Sequence, residues 1–278
     1  MGGTLSILTN IPSLMAENAL DVTQQSLNKT LEELSSGSRI NSGADDPAGL
    51  AIANGLSANI SALQQSIANA NDGVGALQVA DGALSQVTTM LNRAVTLATE
   101  AANGTVSSDQ RTAINAEFTQ ILNEINSIGT QTSFNGASVF TANATSIFLS
   151  DANSNAPISV TIGQLSTSNI GATTVSLASD DLSSVSDATT ALSDINTAIA
   201  AVAAARGNLG ATMNRLTDAA NVMQNEVTNY TSAESSITSA DIGATVASLS
   251  EYQILQQTGM AALAQANSSQ QAVLKLLQ

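Results

Sequence analysis

The 278-residue chain contains no cysteine, no histidine and no tryptophan. Those absences remove the thiol nucleophile, the disulfide, the histidine-based triad and the ordinary zinc site from consideration. Aromatics are scarce: Phe118, Phe134, Phe140, Phe148, Tyr230 and Tyr252 are all there are. Large aromatic side chains usually supply much of a compact core. Here the core must come from Leu, Ile, Val, Met and Ala, which suits slender helix-on-helix packing. Positive charge is also scarce, with 7 basic residues against 22 acidic ones. Lys29, Arg39, Arg93, Arg111, Arg206, Arg215 and Lys275 are widely scattered, so neither nucleic acid nor an anionic membrane surface is an expected partner. No apolar run approaches the ~20 residues that span a bilayer. The stretch "MGGTLSILTNIPSLMAEN" lacks the basic region of a Sec signal. The expectation is a soluble protein that does not use that route. No cofactor is implied, and no convergent carboxylate cluster argues for catalysis.

What is present is helical periodicity. From Leu5 to about Leu34, the residues Leu20, Leu27, Leu31 and Leu34 form one stripe and Leu8, Ile11, Met15 and Val22 another. "SSGSRINSG" (35–43) reads as a loop. Asp46 before Pro47 then supplies an N-cap acceptor and a proline at the first helical position, and reads as a cap rather than half of a metal pair. The helix launched there should run to Asn103-Gly104. With Ile60 at heptad position a, position d holds Leu63, Ala70, Leu77, Leu84, Leu91 and Ala98, while Asp81 and Thr88 interrupt position a. Asp81 stays open between a polar residue tolerated at the seam's edge and one with a role of its own.

A second helix is predicted from Ser108 or Asp109 to Gly129, burying Ile114, Phe118, Ile121, Leu122, Ile125 and Ile128. Residues 134–180 change texture. Asn135-Gly136 signals a hairpin turn, and "ISVTIGQL" (158–165) alternates like a strand. Helix returns near Ser186-Asp187. With Leu192 at a, position d holds Ile195, Val202, Leu209, Leu216, Met223, Tyr230 and Ile237. The two long stripes match in length and should pack antiparallel. From Tyr252 onward, Lys275 is the only charged side chain. A solvent-facing helix normally carries charge on its polar face, so this segment should meet other chains or line a confined space.

In order and spacing, "LSSGSRINSGADDPAGLAIANGL" (34–56), "RTAINAEFTQILNEINSIGTQTSFNG" (111–136), "RGNLGATMNRL" (206–216) and "YQILQQTGMAALAQANSSQQAVLKLL" (252–277) resemble bacterial flagellin. The resemblance implies a mainly α fold: a long antiparallel coiled-coil-like rod with a small β-hairpin region, plus paired terminal helices forming an inner-tube domain. Residues 1–45 would be the N-terminal inner-tube helix and spoke, and 46–133 rod helices. Residues 134–180 would be a β-hairpin and variable surface region, 181–237 the returning rod helix, and 238–278 the C-terminal inner-tube helix. The middle is too short for large outer domains.

The resemblance further implies a structural subunit, exported unfolded by the flagellar type III apparatus and polymerised into the extracellular flagellar filament. Its partners would be further copies of itself, the cap and hook-associated proteins, and an export chaperone. Arg39, Ile40, Asn41, Asp45 and Asp46 would form the spoke and its subunit interface. Leu255, Met260, Leu263, Leu274 and Leu277 would serve inner-tube assembly. Arg93, Leu97 and Glu117 match contact positions for the vertebrate innate flagellin receptor, although Val95 and Thr96 depart from the family pattern. Pro47 and Asn54-Gly55 depart too. The alternatives are a hook–filament junction protein and, more remotely, a surface adhesin. The protease insert that some flagellins carry needs histidine-ligated zinc, and this chain has no His.

Overall fold

The computed structural model of the chain describes residues 10–143, 145–151, 154–155, 157–170 and 175–276. Five helices dominate: α1 (Ile11–Ser36), α2 (Pro47–Ala101), α3 (Ser108–Gln131), α4 (Val185–Thr238) and α5 (Ile242–Leu276). The helical stretch expected from Leu5 is described only from Asn10 onward. Contacts divide the chain into two units, Met1–Ala58 with Tyr230–Gln278, and Asn59–Asn229.

The first unit is built on α1 and α5. Asn10 caps α1 by accepting a hydrogen bond from the Ser13 N–H, and Pro12 lies in the first turn, where its missing N–H costs nothing. The helix stops at Gly37, whose φ of 69° closes the last turn through its N–H to the Glu33 carbonyl. The two helices run antiparallel: Asn10 Nδ2 donates to the Ala266 carbonyl at 3.2 Å, while Gln256 Nε2 donates to Gln24 Oε1 at 2.6 Å.

In the second unit, α3 opens with a capping box between Ser107 and Gln110. Opposed registers fix the helix directions. Leu182, just before α4, donates its N–H to Asn115 of α3, and Glu117 of α3 pairs with Arg93 of α2. Farther along α4, Arg206 pairs with Asp81, which precedes Arg93. Hence α4 runs antiparallel to α2. Every d position named on α2 within this unit is at most 2% exposed, from Leu63 to Ala98. The seam is wider than the heptad pattern foresees, because Ser66, Ala80, Val87, Ala94 and Ala101, one step round the helix, are buried as well. A helix that touches more than one neighbour needs a broader apolar face than a two-stranded seam.

The strands are short. β1 (Ser133–Phe134) and β2 (Ala137–Ser138) form a hairpin across Asn135-Gly136, with φ of 50° and 77° as a tight Asn-Gly turn requires. β3 (Thr145–Ile147) pairs antiparallel with β6 (Ile158–Val160), and β4 (Ser150–Asp151) with β5 (Ser154–Asn155). The strand expected over 158–165 therefore ends at Val160. Beyond it the chain turns inward to bury Ile162, Leu165 and Ile170. Two glycines allow close approach: a Cβ at Gly129 would overlap the Leu165 carbonyl oxygen, and one at Gly73 would strike Ile147.

Helix surfaces carry many Thr residues whose hydroxyls donate to the carbonyl four residues back, among them Thr23, Thr88, Thr99, Thr119, Thr212 and Thr228.

Candidate interaction surface

Polar side chains and small residues join α1 to α5. Besides the two bonds above, Ser13 Oγ donates to Asn267 Oδ1 at 3.1 Å, and Leu20 packs where Gly259 has no side chain. Little is buried between them: on α1 only Leu27 and Thr30 are covered. Large apolar side chains face outward instead. Ile11, Leu14, Met15 and Val22 cluster on one side of α1, with Met15 69% exposed. Ile242, Val246, Ile254, Leu255 and Met260 are exposed along α5. Full burial is worth about 1.5–3 kcal/mol per such side chain, so covering the half that remains exposed gains roughly half of that. Leu255 and Met260 are 44% and 50% exposed, whereas Leu263 is half-buried. Leu274 lies in the last turn of α5 with its side chain outside the described ones, and Leu277 lies outside the described residues.

The loop between α1 and α2 is tied down by a dense set of polar contacts. Ser38 and Ser239 form a single β-bridge. Arg39 donates its main-chain N–H to the Thr238 carbonyl at 2.7 Å and Nη2 to the Ile237 carbonyl at 2.8 Å. Those carbonyls end α4, where cationic donors satisfy acceptors the helix leaves open. Asn41 Nδ2 returns to the Ser38 carbonyl at 3.0 Å, and Ile40 is 7% exposed.

The two adjacent aspartates divide the work. Asp45 turns back: its carboxylate accepts the N–H groups of Asn41 and Ser42, at 3.2 and 2.9 Å, and Lys29 Nζ sits 2.8 Å from its other oxygen. The Lys29 hydrogen bond, followed by those loop N–H groups, holds the Asp45 carboxyl well below its ordinary range. Lys29 is raised in turn, chiefly by the hydrogen bond to Asp45. Asp46 faces forward and caps α2 through the Gly49 N–H at 2.8 Å. A Cβ at Gly49 would strike the Asp46 carboxylate and crowd Ile40 at 2.9 Å. "DDPAG" is thus a hook, a cap, a helix start and a space. Beside it, a crevice of 380 Å³ is lined by Lys29, Glu33, Arg39, Asp241 and Tyr252, among others.

Elsewhere, Arg93 and Glu117 form an ion pair at 2.7 Å, each about half exposed. Leu97, expected alongside them as a contact, is 1% exposed. It faces the interior because it follows Ala94 on the buried side of α2, and it offers no surface to a partner.

Two features were missing from the sequence expectation. Lys29 anchors the loop, although only its scarcity as a cation marks it in sequence. Asp81 and Arg206, which interrupt two separate heptad seams at position a, meet each other: Nε to Oδ1 at 2.7 Å and Nη2 to Oδ2 at 3.2 Å. Their opposite charges at equivalent positions were the available signal. Among the described residues, no group of three or more His, Cys, Asp or Glu side chains is placed to hold a metal ion, and no helix is long and apolar enough to cross a membrane.

Comparison with known proteins bears on both halves of the chain. Residues 7–145 match the bacterial flagellin N-terminal helical region, and residues 192–277 the C-terminal helical region. Flagellin of Salmonella paratyphi A is 41% identical over 171 residues, which cover 62% of this chain and 34% of that protein. Flagellin of Escherichia coli K12 is 38% identical over 175 residues, covering 63% and 35%. This chain therefore spans about a third of the length of the curated relatives it matches. A crystal structure of Bacillus cereus flagellin aligns with a TM-score of 0.49 at 27% identity, covering 56% of this chain and 88% of that one. By the match over residues 7–145, and the second over residues 192–277, the chain belongs to the bacterial flagellin family.

Proposed function

We propose that the chain is a structural subunit that polymerises into the extracellular flagellar filament, and that its role is assembly rather than catalysis. One observation carries the reading: α1 and α5 pair through polar contacts while leaving apolar side chains of both helices uncovered. Two helices with so little between them gain most of their stability from whatever covers the remaining faces. Copies of the same chain are the partner that family membership favours.

On this reading the terminal segments fold as they dock, beneath a distal cap, after export of the unfolded chain through the flagellar type III apparatus with the help of a chaperone. Residues 1–45 and 238–278 serve the inner tube and spoke, 46–133 and 181–237 the rod, and 134–180 its surface. Within the spoke, Asp45 and Asp46 act inside the subunit, since both carboxylates are committed to their own loop and helix. The exposed Arg39 and the crevice beside it are the parts left to meet a neighbour. For the vertebrate receptor, Arg93 and Glu117 supply the contacts.

The test is negative-stain electron microscopy of the full chain and of a variant lacking residues 252–278, after seeding or salting-out. Long uniform tubes from the full chain, with none from the truncated one, support the proposal. Joining only to preformed filament ends would indicate a junction protein instead. Tubes from the truncated chain would refute the part given to α5.

A further inference from the structure

The sequence contains three Asn-Gly pairs, and the fold treats each differently. Asn54-Gly55 lies inside α2, and Asn135-Gly136 forms the β1–β2 turn with both residues at positive φ. Asn103-Gly104 lies in the turn between α2 and α3, where both residues are exposed, Asn103 donates its N–H to the Glu100 carbonyl and its own carbonyl accepts the Val106 N–H, both at 3.1 Å. An asparagine side chain followed by glycine is open to attack by the next main-chain nitrogen, because glycine has no Cβ to obstruct the ring that forms. The attack needs a free N–H and freedom to rotate about the asparagine. A helix restricts both, and a closed hairpin restricts the rotation by holding Asn135 and Gly136 at positive φ.

We propose that Asn103 is a site of self-modification by intramolecular deamidation. Three features of the loop favour the reaction there. Among the described residues Gly104 N–H meets no acceptor, and a Cβ at Gly104 would meet nothing within 4 Å. Asn103 Oδ1, the atom that gathers negative charge in the transition state, already accepts the Thr105 N–H at 3.1 Å. A donor fixed where charge develops lowers the barrier. Finally, Arg111 Nη1 reaches the Asn103 main-chain carbonyl at 3.4 Å, while its Nε is buried without a hydrogen-bond partner. This places a positive charge on the Asn103 backbone, near enough to favour the anionic transition state and the carboxylate that results.

The chemistry needs only water. Gly104 N loses its proton to solvent and bonds to Asn103 Cγ. The amide nitrogen takes up a proton from solvent, its bond to Cγ breaks, and ammonia leaves. Water then opens the cyclic imide. Opening at Cγ yields aspartate. Opening at the main-chain carbonyl yields isoaspartate, which adds a carbon to the backbone between α2 and α3. Either product adds a negative charge to a chain whose net charge is already −15.

The full chain would be held in mildly alkaline buffer, folded or in urea, and digested for peptide mass spectrometry at intervals. In urea the three pairs should convert at similar rates. On folding, Asn54 and Asn135 should slow by at least about tenfold, since local opening must precede attack, while Asn103, in an exposed turn, slows severalfold less than either. Gly104→Ala should slow Asn103 alone. Arg111→Gln should slow it severalfold, with Arg111→Lys intermediate and circular dichroism confirming the fold. Equal conversion of the three pairs in the folded chain, or slowing of Asn103 as marked as that of the others, would overturn the proposal. An unchanged rate in Arg111→Gln would overturn the part given to the guanidinium.

Discussion

The pairing of Asp81 with Arg206 makes a quantitative prediction. Both side chains are about two-thirds covered, 33% and 36% exposed, and two hydrogen bonds join them. Fully exposed pairs contribute ~0.2–1 kcal/mol, whereas breaking a buried pair costs ~3–5 kcal/mol. This pair lies between those limits, and solvent screening keeps it in the lower half. Asp81→Asn and Arg206→Gln should each cost about 1.5 kcal/mol, because each leaves the opposite charge half-covered beside an apolar seam. In a unit of this size that corresponds to a fall in Tm of about 3–6 °C. The double change Asp81→Leu with Arg206→Leu should recover most of the loss, since it continues the seam of Leu77, Leu84 and Leu209. A thermal double-mutant cycle followed by circular dichroism measures the coupling, and added salt should shrink it. If the single losses are below ~0.5 kcal/mol and simply additive, the pair contributes nothing to holding α2 against α4 and the reasoning fails.

Further expectations concern titration and backbone space. Burial, then the nearby Asp194 and Asp181, push the Asp180 carboxyl from 3.8 up to about 6. The folded state thus favours the protonated acid, and this contribution to stability, full below pH 3.8, is lost as pH rises through about 6. Between pH 4 and 7, the Tm of the native chain should fall relative to that of Asp180→Asn. Parallel curves would contradict this. Asp45 carries the opposite sign: its depressed carboxyl keeps the loop tied down as pH falls through the usual carboxylate range, and the tie is released only in stronger acid. Carboxyl-carbon NMR should show Asp45 ionised at pH 3, with Lys29→Met moving its titration upward. Two glycines should respond in opposite directions in urea unfolding. Gly129→Ala should cost about 1–3 kcal/mol through its clash with the Leu165 carbonyl. Gly55→Ala, with open space inside α2, should gain about 0.5–1 kcal/mol.

Much of the helical framework is legible in the sequence because its signals are local. Pro47 after Asp46 marks the start of α2, α3 opens at Ser108 as its period foresees, and Asn135-Gly136 turns the hairpin at the expected place. The d-position residues of the seams follow from period alone, whereas the second buried row of α2 does not. What the period does not carry is which helix a given face meets. Asp81 and Arg206 each look like a defect until the two helices are set in register, a relation between residues 125 positions apart. Leu97 looks like a contact residue because matching a motif says nothing about the direction of the side chain. Lys29 is hidden for a related reason: its partner Asp45 lies beyond a helix end and a turn, outside the three- and four-residue spacing by which helical ion pairs are read.

The threonines that line these helices have a consequence for how the surface meets a neighbour. A hydroxyl that gives its proton to its own backbone keeps its methyl group and a pair of acceptor sites facing out, with no donor left to satisfy. Lysine or glutamate at the same places would have to shed tightly held water and lose several rotamers on contact. Thr23, Thr119 and Thr212 bring neither burden, so another surface can close over them with little dehydration penalty and part again as readily. Such helices are suited to interfaces that slide: a neighbour can shift along them from one set of contacts to the next without breaking a charged lock at each step.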